Sequence, residues 1–173
     1  MATVEEVFDI INKITTGFEE QVVQCMVDNR HTIEKAICEQ LYSGMNGESD
    51  YLEPNYDNDS FFNEEGYWHN RAKDYKAWKN DITPPILSSM LGLPPRPDNV
   101  PNLYINGKFY SEIFTERDDK ELKVDVNGSG DGPAIVSKYG SEILDIGMTA
   151  VKYFNEEKLL PHLKDFFEQC GYK

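Results

Sequence analysis

The side chains best suited to chemistry in this 173-residue chain are carboxylates, three histidines, three cysteines and a glycine-rich loop. Asp125-x-Asn127-x-Ser129-Gly130 matches positions 1, 3, 5 and 6 of a calcium-binding EF-hand loop. Position 12 of that loop, which needs a bidentate glutamate, falls on Val136, so the spacing reads as a glycine turn between elements and not as a calcium site. The same glycines lack the Gly-Lys-Ser/Thr that a phosphate cradle requires. His31, His69 and His162 stand far apart in three different elements, and neither a nucleophile elbow around Ser111 nor a His-Glu-x-x-His zinc motif occurs. Cys25, Cys38 and Cys170 are odd in number and form no Cys-x-x-Cys pair, which predicts free thiols and no zinc knuckle. The residues therefore predict no catalytic centre, no cofactor and no metal.

Residues 43–66 contain no Lys or Arg but carry Glu48, Asp50, Glu53, Asp57, Asp59, Glu64 and Glu65. Tyr51, Leu52, Tyr56, Phe61 and Phe62 lie among these acids, which predicts an ordered loop pinned by aromatic side chains, since disordered segments lack them. A cation site built from the carboxylates is the competing reading of the same stretch.

Composition narrows the classes further. There are 17 Lys and Arg against 31 Asp and Glu, a formal charge of −14. Such a balance opposes sequence-specific binding to nucleic acid and binding to anionic membrane surfaces. It fits an acidic face that meets a basic partner or repels passing DNA. No apolar run is long enough to span a bilayer, and the N-terminus lacks the basic and apolar regions of a signal peptide. A reducing cytoplasm is the expected place of folding.

The elements expected to carry these residues make an α+β fold. A long N-terminal helix and a C-terminal helix pack on a small antiparallel sheet, with the long acidic aromatic loop between. One domain over 1–173 is expected: an N-terminal helical part (1–42), the acidic loop (43–66), a second helix and Pro-rich linker (67–99), a small β part (100–146) and a C-terminal helix (147–173). Thr3 is the expected cap of the first helix, with Glu5 and Glu6 in its first turn. Apolar residues then recur every three or four positions through Ile11, Phe18, Val22, Met26, Ile33, Ile37 and Leu41. The row predicts one face of a helix to about Tyr42, with a break near Thr15–Gly17 or Asp28–Asn29. A seam of that length needs a long partner, from its own chain or a neighbouring subunit.

A second helix is predicted over 66–81, with Trp68, Ala72, Tyr75 and Trp78 or Lys79 on its apolar face. A short turn over 86–91 and an extended proline linker over 94–101 follow. Strands are predicted over 109–117 and 120–126, turning at Asp118-Asp119, with Leu122, Val124 and Val126 facing inward. A short helix over 134–139, a strand over 143–146 and a last helix starting at Thr149 or Asn155 complete the chain. Pro161 sits at that helix's first turn or kinks it.

Four segments together carry a resemblance. Leu41-Tyr-Ser-Gly-Met-Asn-Gly-Glu-Ser-Asp-Tyr-Leu-Glu-Pro-Asn-Tyr56, Tyr75-Lys-Ala-Trp-Lys79, Pro101-Asn-Leu-Tyr-Ile-Asn-Gly-Lys-Phe-Tyr-Ser-Glu-Ile113 and Lys138-Tyr-Gly-Ser-Glu-Ile-Leu144 resemble small structural proteins of tailed phages infecting Bacteroidetes, crAss-like phages included. Asn106 to Ile113 is similar to the Thr-Gly-x-Leu-x-x-Ser-Ile element of phage head–tail joining and tail-completion proteins, with Asn106 for the Thr and Phe109 for the Leu. The resemblance implies a virion protein, assembled in the host bacterial cytoplasm, that forms a homo-oligomeric ring between portal and tail. The portal and adjacent neck or tail proteins would be its partners, with DNA passing through the lumen. The interface residues expected from seam and motif are Ile11, Phe18, Met26, Ile33, Ile37, Leu41, Tyr104, Phe109 and Tyr110. Two other readings stay open: a small cytosolic enzyme or regulator with an acidic cation- or ligand-binding loop, and a monomeric adaptor acting on a host protein through its acidic surface.

Overall fold

A computed structural model describes residues 3–85, 89–128 and 130–172. The predicted turn over 86–91 therefore falls partly, and Ser129 of the glycine loop wholly, outside the described residues. The fold is α+β. Helix α1 (Val4–Asp28) opens with a capping box, in which Thr3 Oγ1 accepts from Glu6 N at 3.2 Å and Glu6 Oε2 accepts from Thr3 N at 2.7 Å. It ends at Asn29, the second of the two predicted breaks, whose Nδ2 donates to Cys25 O at 2.9 Å. Helix α2 (Arg30–Tyr42) restarts at once.

Helix α3 (Ala72–Ile82) begins later than the pattern predicted, because Gly66 and Asn70 hold positive φ and keep 66–71 as turns. The strand expected from 109 also starts late. Asn106 Oδ1 accepts from Lys108 N at 3.0 Å, Gly107 takes φ +80°, and Ser111 N donates to Gly107 O at 3.0 Å. The outcome is one helical turn, α4 (Lys108–Glu112), which carries Phe109 into the core. Strands β1 (Ile113–Asp118) and β2 (Glu121–Val126) then form the expected antiparallel hairpin, with Ile113 opposite Val126 and Thr115 opposite Val124.

Helix α5 (Gly132–Tyr139) follows the glycine loop. The predicted strand over 143–146 is instead a 3-10 turn, Ser141–Leu144, with an extended exit. Among the described residues no strand lies beside it, and a side chain satisfies its backbone instead. Gln40 Nε2 donates to Asp145 O at 3.0 Å, and Gln40 Oε1 accepts from Gly147 N at 2.8 Å. Helices α6 (Met148–Phe154) and α7 (Leu160–Gln169) are joined by a π turn, Asn155–Leu159, which accommodates Pro161 near the start of α7.

The main core joins Cys25, Ile33, Ile37 and Leu41 to Leu52, Val100, Phe109, Ile113, Val126, Ile143, Leu144 and Phe154. The hairpin packs on α1 and α2, while α7 packs chiefly along α1. No helix among the described residues is long and apolar enough to cross a membrane.

Candidate functional site

Helix α1 has two halves with different surroundings. Along its middle, α7 runs beside it. Gly17 lies against the tip of the Phe166 ring, Phe18 stacks on Phe167 with centroids 6.4 Å apart, and His162 Nε2 lies 3.0 Å from Gln21 Oε1. At the far end, Gly171, with φ +98°, closes against Ile10. The chain thus covers the Ile10–Gly17–Gln21 side of the helix.

It does not cover the next side. Val4, Phe8 and Ile11 are 74%, 68% and 54% exposed, Val7 is also exposed, and Phe18 keeps 42% of its surface despite Phe167. At 100° per residue these five fall on one arc, beside the arc that α7 occupies. The result is an apolar stripe along about two turns of helix from Val4 to Ile11, with Phe18 on the same arc beyond the exposed Thr15. Elsewhere the described surface exposes large apolar side chains mostly one at a time, as soluble proteins do. A continuous stripe is different in kind.

Of the interface residues expected from the sequence, Ile11 and Phe18 lie on this stripe. Met26 is half-buried at the core's edge. Ile33, Ile37 and Leu41 are buried in the chain's own core, so in this fold they are not surface available to a neighbouring copy. These residues lie on α2, which packs against the hairpin and α6. Phe109 is also core. Tyr110 is half-buried; its hydroxyl donates to Asn102 O at 2.6 Å, and burial holds its pKa well above the usual phenol value. Tyr104 meets Tyr110 edge to face at 5.5 Å, and its carbonyl accepts from Lys79 Nζ. These last three residues shape the loop 100–112 from within.

The acidic loop is ordered around an aromatic cluster. Tyr56, Phe61, Phe62 and Trp68 surround Tyr75 of α3 with centroid separations of 5.1–6.2 Å. Three of its carboxylates have protein partners. Glu53 accepts from Asn55 and Asn58, Asp57 from Lys76 and Asn99, and Asp59 from Phe61 N and Lys138. Among the described residues no group of three or more His, Cys, Asp or Glu side chains is placed to hold a metal ion. Asp125, first of the EF-hand-like positions, accepts from Val126 N at 2.7 Å.

The histidines and thiols lie apart from one another. His31 Nδ1 lies 2.7 Å from Glu34, His69 bonds near Glu64, and Ser111 Oγ donates to Lys108 O. Cys38 is pushed up to about 11 by burial, so it is not a nucleophile near neutral pH. The three cysteines are free thiols.

Two buried charges went unread in the sequence. Glu39, inside α2, receives the backbone N–H groups of Met90 and Leu91 at 2.9–3.0 Å and so ties down the segment after α3. Lys79 is almost wholly buried, and burial, then Arg96, pushes its pKa down to about 8. The helical pattern gave a hint of the second, since Lys79 shares the apolar side of α3 with Trp78. It lines a cavity of about 290 Å³ together with Tyr56, Phe62, Tyr75 and Tyr139.

No protein-family model matches the chain, no curated protein matches it, and no solved structure matches it.

Proposed function

We propose that this chain is a virion structural protein of a tailed bacteriophage. It assembles with its own copies into a ring in the head–tail connector, the neck or the proximal tail, bridging portal and tail. The observation that carries the reading is the uncovered stripe Val4–Val7–Phe8–Ile11–Phe18 on α1. Burying a large apolar side chain stabilises by about 1.5–3 kcal/mol, so a stripe left in water is a strong drive to associate. In a head-to-tail ring the stripe of one copy meets a different surface of the next and need not match itself.

The resemblance of residues 41–56, 75–79, 101–113 and 138–144 to Bacteroidetes phage structural proteins supplies the place of assembly. Charge is in keeping with it. At −14 overall, with Glu48, Asp50, Glu64 and Glu65 exposed on one loop, the chain repels a DNA duplex and lets it slide. No bond-making step is part of this function.

The test is light scattering of the purified chain, alone and with the portal or a neighbouring ring protein, beside the double variant Phe8→Asp with Ile11→Asp. A multi-copy mass for the native chain and a monomer for the variant, with equal helicity, is the expected result. A monomer mass for the native chain under both conditions ends the reading. So does its absence from purified virions by mass spectrometry.

A further inference from the structure

The hairpin register determines which backbone groups β1 and β2 spend on each other. Asn127 N donates to Glu112 O at 3.0 Å, one step beyond the Ile113–Val126 pair. The pairs that exchange hydrogen bonds are therefore Phe114 with Asp125, Glu116 with Lys123, and Asp118 with Glu121. The residues between them turn their N–H and C=O away from the hairpin. On β1 that outer edge is closed, because Thr115 N donates to Glu34 Oε1 at 2.9 Å from α2. On β2, Val126 N turns onto Asp125 Oδ1. Leu122 and Val124 are left with outward N–H and C=O groups that find no partner among the described residues.

Beside this open edge runs a groove of about 440 Å³. Met26, Leu122, Val124, Leu144 and Ile146 make it apolar. Exposed carboxylates of Glu116, Asp125 and Asp145 also line it, and among the described residues none of them is in an ion pair. The one base there, Lys123, is held by Asp118.

We propose that β2 accepts a third strand from a partner protein: an extended segment in which apolar residues alternate with Lys or Arg. Its main chain bonds to Leu122 and Val124, its apolar side chains fill the groove, and its bases meet Asp125 and Asp145. Open strand edges are otherwise shielded or blunted, because they recruit passing chains. The groove's charge selects a basic segment. It also disfavours β2 of a second copy, since that strand brings Glu121 and Asp125 with one base and belongs to a chain of −14. This inference stands independently of the ring reading.

Amide hydrogen exchange on the full ¹⁵N-labelled chain tests it, with two end-blocked seven-residue peptides as probes, one alternating Lys and Val and one alternating Glu and Val. In the free chain the Leu122 and Val124 amides exchange about tenfold faster than those of Lys123 and Asp125. The Lys–Val peptide slows them about tenfold and the Glu–Val peptide leaves them unchanged. Asp145→Asn weakens the Lys–Val peptide by about two- to fivefold, as loss of one exposed pair should. Val124→Pro removes an N–H that the hairpin does not use, so it keeps the native circular dichroism and abolishes protection. Slow Leu122 and Val124 amides in the free monomer overturn the proposal, as does equal action of the two peptides or none by either. Slow amides at a dimer mass assign the edge to a second copy and overturn it too.

Discussion

Gly17 of α1 lies against the tip of the Phe166 ring on α7: a Cβ at position 17 would come within 2.8 Å of Phe166 Cζ. The long helix and the last helix approach this closely only because residue 17 has no side chain. In an exposed helix Gly→Ala stabilises by about 1 kcal/mol. Here the added methyl overpacks the contact, at about 1–3 kcal/mol.

Gly17→Ala is therefore expected to lower the thermal midpoint by about 2–4 °C per kcal/mol lost and to loosen α7 first. Thermal melts and amide exchange along 160–169 check this. A rise in midpoint would mean the Phe166 ring swings aside freely.

Lys79 makes stability depend on pH in an unusual direction. Its folded pKa is pushed down to about 8, against 10.5 for the free side chain. Between those values the unfolded chain holds a proton that the folded chain has released, so the unfolded state binds more protons and stability rises with pH. Urea midpoints of the native chain are expected to climb from pH 8 to about pH 9, above which the Cys38 thiol, pushed up to about 11 from 9.0, has the opposite sign and offsets the climb. Lys79→Met is expected to lose that climb whatever its own baseline, and equal slopes in the two proteins would show that water reaches the amine.

The hairpin was legible because a period of two and a turn at Asp118-Asp119 are both local, and so was the cap at Thr3. What decides the rest lies far away in sequence. Ile33, Ile37 and Leu41 continue the seam of Ile11 and Phe18, and periodicity names a face without saying what covers it. The seam passes from open to buried within α1, between Phe18 and Val23, and α2 continues the buried part beyond the break at Asn29. Ile143 and Leu144 have a strand's composition, but Gln40, more than 100 positions earlier, takes the backbone bonds that a neighbouring strand would have made. Phe109 follows the Asn106-Gly107 turn, and one helical turn there needs so few residues that no period can show it. The open edge of β2 is a property of register, which a single strand's sequence does not contain.

Glu34 links α2 to the hairpin. It accepts from Thr115 N at 2.9 Å and Thr115 Oγ1 at 2.8 Å, with His31 Nδ1 2.7 Å from its other oxygen. Burial pushes its pKa up, but the bonds from His31 and Thr115 outweigh that and hold it below 4.5. A lowered carboxylate pKa gives stability that is full above the unfolded value and is lost as pH falls through the folded one. Acid titration should therefore weaken the native chain below about pH 4.5, and Glu34→Gln should lose less over that range. At pH 7, Glu34→Ala strands the Thr115 N–H and is expected to cost about 1–3 kcal/mol, more than Glu34→Gln, which keeps an acceptor. Equal losses in urea melts would assign the effect to charge alone.

Lys138 and Asp59 fasten the acidic loop to α5. Asp59 is buried, Oδ1 accepts from Phe61 N at 3.0 Å, and Oδ2 takes Lys138 Nζ at 2.6 Å. The ammonium also stands 5.4 Å from the Tyr139 ring and 5.8 Å from that of Phe61. An exposed ion pair would be worth little, but here one partner is sealed from water, and removing the other leaves a buried charge unpaired. Lys138→Ala is expected to destabilise by about 1–3 kcal/mol and to open residues 59–66 to limited proteolysis while α1 stays protected. Lys138→Arg, which keeps the charge and reach, should restore most of the protection. If Lys138→Ala is cut no faster than the native chain, the aromatic packing around Tyr75 holds the loop without the ion pair.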